Sequence, residues 1–127
     1  MCKICDAEPG SHSFMKMAKQ GTTTFFYTCP SEAKKYWDTK GILEHISESL
    51  RENDGEHWIW IVDADGFEIK HSIQISTAIG IVKILSEQGD SLKEIRIINP
   101  NRFISILYNA IYPFMTTSFK SKIQWIK

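Results

Sequence analysis

Between Trp58 and Val62 the chain carries five consecutive apolar residues, Trp-Ile-Trp-Ile-Val, and then turns polar at Asp63-Ala64-Asp65-Gly66. A run this short and this rich in β-branched and aromatic side chains, without polar alternation, reads as a strand buried on both faces. That is the signature of the central strand of a helix-covered sheet. Gly66 supplies a tight turn after it, and Phe67 brings the chain back inward. The flanking segments must therefore provide the cover.

Their periodicity does so. Upstream, residues 22–28 are β-branched and aromatic (Thr-Thr-Thr-Phe-Phe-Tyr-Thr) and read as a first strand ended by Pro30. Residues 31–37 read as a short helix capped by Ser31. In residues 40–53, Ile42, Leu43, Ile46 and Leu50 share one helical face. Downstream, residues 67–70 read as a short edge segment. Residues 72–88 read as the longest helix, with Ile75, Ala78, Ile79, Val82 and Leu85 as its buried stripe. Residues 94–99 read as a strand closed by Pro100, and residues 101–112 as an amphipathic helix through Phe103, Ile104, Leu107, Tyr108 and Ile111. Thr116 or Thr117 caps a last short helix, and residues 123–126 form a final strand. Residues 1–21 read as an irregular lead-in, with at most a helical turn around Phe14–Ala18. Strands alternating with helices predict an α/β fold with parallel pairing and right-handed crossovers.

The chain has 127 residues, enough for one domain with a real core. Fifteen basic and fifteen acidic side chains cancel, so no general attraction to nucleic acid is implied. No apolar run approaches the roughly 18 residues of a membrane helix, and no signal peptide opens the sequence. A cytoplasmic, reducing location is expected, and three cysteines do not make a disulfide framework.

Several segments in order then resemble one family. Trp60-Ile61-Val62-Asp63-Ala64-Asp65-Gly66-Phe67 is similar to the strand and turn "(hydrophobic)-D-x-x-G-F" of CRAL-TRIO, or Sec14-like, lipid-binding domains. Leu92-Lys93-Glu94-Ile95-Arg96-Ile97-Ile98-Asn99-Pro100 resembles the family's "L-x-x-I-x-I-I-N-x-P" strand, though here Pro100 follows Asn99 directly. Phe103 with Tyr112-Pro113-Phe114-Met115 resembles "F…(K/Y)-P-F-L". Lys120-Ser121-Lys122-Ile123 resembles "T-x-x-K-I", and Phe26-Tyr27 fits the opening strand. The family pattern continues beyond the last strand with a gate helix and a "L-P-x-x-(Y/F)-G-G" ending, neither of which follows Ile126 here. The resemblance implies a minimal or truncated domain over residues 22–127. Its core would be a mostly parallel four- to five-stranded sheet, SpoIIAA-like, with helices packed mainly on one face and the open face as the floor of an apolar site.

The same resemblance implies a non-catalytic binder, or carrier, of a phospholipid or other small hydrophobic molecule, without a cofactor. The candidate lining residues are Phe26, Trp60, Ile97, Phe103, Leu107, Phe114 and Trp125. Tyr27, His71 and Asn99 are the candidates for polar contact. Membrane contact would be peripheral at most. A second reading is a protein-interaction module or homodimer in which a partner covers the ungated apolar face. A remote third is a magnesium-dependent phosphohydrolase using Asp63 and Asp65, but the strand ends lack the further acidic pair that such chemistry needs.

Other reactive side chains have plainer readings. Cys2-x-x-Cys5 with His12 and Cys29 offers four zinc-ligand types, but the spacings are not standard and no second knuckle follows. Free thiols on a frayed terminus, and no metal, are expected. Cys29 reads as a small buried hydrophobe. His45, His57 and, in its plainest reading, His71 read as surface or capping residues.

Overall fold

The computed structural model describes residues 2–127 and confirms the α/β class. Five strands form one sheet in the order of the sequence: β1 (Met15–Gln20), β2 (Thr23–Thr28), β3 (His57–Asp63), β4 (Leu92–Ile98) and β5 (Ile123–Ile126). β1 runs antiparallel to β2, and every other pair is parallel. Six helices accompany them: α1 (Lys3–Ala7), α2 (Thr39–Glu52), α3 (Ile69–Ser72), α4 (Ile75–Ser86), α5 (Arg102–Ile111) and α6 (Thr117–Ser121).

The register sorts side chains onto two unlike faces. Phe26, Trp60, Ile95 and Ile123 pair in one row, and Thr28, Val62, Ile97 and Trp125 in the next. These rows pack against Ile46 of α2, Val82 and Leu85 of α4, Ile104 of α5 and Phe119 of α6. The opposite rows hold Phe25 with Ile59, Tyr27 with Ile61 and Arg96, and Asp63 with Ile98 and Ile126. Of these only Ile59 is fully buried. Arg96 lies over the Phe25 ring and is bonded to Glu94, so a polar canopy covers part of this side. The helical crossovers all lie on the other face. Helices packed mainly on one face are therefore as expected, while burial of the central strand on both faces holds only in part: on the far side of β3 Ile59 is buried and Ile61 half-buried.

Three elements differ from the sequence expectation. Residues 15–20 form an edge strand instead of an irregular lead-in, turning into β2 through Gly21 at a φ of 60°. A glycine in that conformation is what a two-residue hairpin requires. The segment expected as one helix over 72–88 is two, broken at Ile73–Gln74, and Ile75 is exposed instead of lying in the buried stripe. The edge segment at 67–70 is instead the turn into α3, and Ser31 lies in a single 3-10 turn, Pro30–Glu32, instead of capping a helix over 31–37. α2 and α5 fall within a residue of their expected bounds. Asn101 caps α5 by accepting from the Phe103 and Ile104 amides, and it donates to the Ala64 and Phe67 carbonyls. One side chain thereby ties the start of α5 to the turn after β3.

Candidate functional site

The most apolar hollow lies between the sheet and its helices, not on the open face. It has two adjoining parts. One, of about 120 Å³, is bounded by Pro30, Tyr36, Ile42, Trp60, His71 and Ala78 among others. The second, of about 170 Å³, is wholly apolar and runs from Trp60 and Val62 past Ile97 to Tyr108, Met115 and Phe119. Thr28, Trp60, Phe67, Ala78, Ile81 and Leu107 border both parts. Placement of the apolar site on the open face is corrected accordingly. Residues of α4 and α5 wall it on the side away from the sheet.

Trp60 is the floor. Its indole N–H donates to Thr28 Oγ1 at 2.7 Å, which fixes the ring and leaves its face to the cavity. His71 supplies the main polar group of the first part. It is buried, with its ring between Tyr36 and Phe67, and its Nδ1 accepts the Glu68 amide at 2.9 Å. Burial pushes its imidazole below the usual histidine range, and the Lys70 charge adds to this. The ring is thus neutral, with its proton on Nε2.

Of the ten residues expected at the site, Trp60, His71, Ile97 and Leu107 border the cavity. Phe26 and Phe103 belong to the surrounding core and not to the lining. Phe114 is exposed on the turn after α5. Trp125 leaves the cavity and stacks edge-on against Tyr108, sharing a separate surface groove with Asn99. Tyr27 and Asn99 meet at the carboxyl end of the strands, where both bond Asp63, at 2.6 and 3.0 Å. Residues that the sequence reading left out of the lining, Thr28, Ala78 and Ile81, are small or lie on helix faces with no mark beyond apolar spacing.

Asp63 is structural in this arrangement. Burial pushes its carboxyl up, but donors from Tyr27, Asn99 and the Asp65 amide outweigh that and hold it below the usual carboxylate range. Tyr27 is shifted strongly upward by its bond to the carboxylate, then by burial. With both oxygens committed to these bonds, Asp63 is not poised as a nucleophile.

The amino-terminal thiols are also placed otherwise than expected. Cys2 and Cys5 are not frayed: Cys2 caps α1, and both sulfurs approach His12. Cys29 lies apart, beside Ser31 and the Asp65 carbonyl. His45 is half-buried and takes the place near Cys5 that Cys29 does not occupy.

Comparison with protein families decides the lineage. The family model described as the CRAL/TRIO domain matches residues 31–127, most of the chain. The chain belongs to the CRAL/TRIO family. No curated protein matches it. The CRAL/TRIO match begins after the β1–β2 hairpin, so two of the five strands of the sheet lie outside it. No helix among the described residues is long and apolar enough to cross a membrane.

Proposed function

We propose that this CRAL/TRIO domain binds a single-chain hydrophobic ligand in the cavity between the sheet and helices α4 and α5. The observation that carries the reading is the apolar void on Trp60, in a chain whose family binds small hydrophobic ligands such as lipids. Burial alone supplies the affinity, at about 0.8 kcal/mol per CH₂ removed from water. The two parts together come close to the roughly 300 Å³ at which small-molecule sites begin. That favours one short acyl or isoprenoid segment over a whole diacyl phospholipid. The Nε2–H of His71 is a donor for a carboxylate or hydroxyl head. Transfer between membranes would follow from reversible burial, and the exposed Ile69 of α3 and Ile73 just after it offer apolar contact beside α5.

Native mass spectrometry of the delipidated chain mixed with decanoate or farnesol tests this. One ligand per chain is expected, and Leu107→Trp, which fills the space shared by both parts, should weaken uptake at least tenfold with the fold intact by circular dichroism. Absence of uptake by the native chain, or equal uptake by the variant, defeats the reading.

The uncovered face of the sheet supports a second reading, in which Ile61, Ile98 and Ile126 meet a partner or a second copy of the chain. Light scattering that finds a monomer at all accessible concentrations removes the homodimer.

A further inference from the structure

Four ligand-type side chains converge at the amino-terminal end of the fold, away from the apolar cavity. The Nδ1 of His12 lies 3.5 Å from Cys2 Sγ and 3.6 Å from Cys5 Sγ, and the Nδ1 of His45 lies 3.5 Å from Cys5 Sγ. All four atoms fall within 4.8 Å of one another. We propose that Cys2, Cys5, His12 and His45 form a structural zinc site of the Cys₂His₂ type.

The three sulfur–nitrogen distances are those that a tetrahedral ion would impose. Bonds of about 2.3 Å to sulfur and about 2.05 Å to nitrogen, set at a tetrahedral angle, put sulfur and nitrogen about 3.5–3.6 Å apart. Hydrogen bonding accounts for them less well. With both Nδ1 atoms unprotonated, the two thiol protons serve two of the three sulfur–nitrogen contacts and leave the third without a donor.

The histidine tautomers are set from outside the cluster. His45 Nε2 lies 2.8 Å from the Phe14 carbonyl, which can only accept, so that nitrogen carries the proton and Nδ1 keeps its lone pair. His12 Nε2 lies 2.8 Å from Asp38 Oδ2, with the imidazole almost fully buried. A carboxylate behind one ligand and a carbonyl behind the other are the outer partners that orient metal-bound histidines. Two thiolates with Zn²⁺ are neutral overall, which suits a half-buried position.

The site has a structural task. Residues 10–13 are already fastened by bonds from the Lys34 and Lys35 amides to the Gly10 and Ser11 carbonyls, and from the Cys29 amide to Ser13. α1 buries none of its own residues. Through His45 the four-ligand cluster ties it to α2, and removing the metal should loosen residues 2–9 while leaving the sheet folded.

The test is metal stoichiometry of the full chain, purified under reducing conditions. One zinc per chain by elemental analysis is expected. Replacement by Co²⁺ should give the intense visible bands of a tetrahedral site and thiolate-to-cobalt charge transfer. Cys2→Ser/Cys5→Ser and His45→Gln should each lose the bound metal, and Cys29→Ser should keep it. Asp38→Asn preserves the acceptor that caps α2 and should weaken zinc 10- to 100-fold, as loss of an outer partner does. A native chain that is folded yet binds neither Zn²⁺ nor tetrahedral Co²⁺ overturns the proposal. So does undiminished binding in the folded double-cysteine variant.

Discussion

At Asp63 three strands are fastened through one carboxylate. Tyr27 reaches it from β2 and Asn99 from the end of β4, while the Asp65 amide closes the turn. Asn99 holds a φ of 50°, a left-handed conformation that asparagine tolerates better than most residues. The folded carboxyl is more acidic than in the unfolded chain, so the native state holds fewer protons. Its stabilising effect is complete above the unfolded value of about 3.9 and is lost as the pH falls through the depressed folded value. Tyr27→Phe removes a hydrogen bond to a charged acceptor and should cost about 1.5–3 kcal/mol at neutral pH. The same variant should lose less further stability between pH 5 and pH 2 than the native chain does. Urea unfolding across that range measures both effects. This bond was not legible in the sequence: residues 27, 63 and 99 meet only because β2, β3 and β4 are parallel neighbours in register.

Among the elements, α2 packs against α4 with Leu43 lying close over Gly80. A Cβ built there would lie 2.6 Å from Leu43 Cδ1. Alanine for glycine within a helix gains up to about 1 kcal/mol, but here Leu43 must first move. Gly80→Ala should therefore be worth less in the native chain than in a Leu43→Ala background, where about 1 kcal/mol of stabilisation is expected. A double-mutant cycle by chemical denaturation gives the coupling, and additive effects would mean that the contact carries no strain. Helices such as α2 and α5 were readable because their apolar residues recur at three and four. β1 was not, because all six of its residues are exposed and no alternation marks it. The break between α3 and α4 was hidden by isoleucines that continue the helical spacing across it. In the cavity, Trp60 and Leu107 were readable as apolar residues of a strand and an amphipathic helix. The convergence of His45 with Cys5, forty positions away, was not.

For the molecule as a whole, the edge hairpin matters more than its exposure suggests. β1 covers the outer rim of β2, and without it the backbone groups of Thr23–Thr28 would face solvent as an open pairing edge. A chain starting at Thr22 retains the whole CRAL/TRIO match yet should associate at micromolar concentration, where the full chain does not gain mass through that edge. Light scattering of the two side by side measures the difference. Equal behaviour would show that the domain is self-sufficient from residue 22.

Trp60 belongs at once to the packed centre of the protein and to the lining of the hollow between sheet and helices. Whatever enters that hollow also touches the indole. A guest should then announce itself twice, as a change in emission from a ring already pinned by Thr28 and as a higher melting temperature. The emission change should saturate when the hollow is full, while the melting temperature should go on rising with the logarithm of guest concentration, and both should yield one dissociation constant.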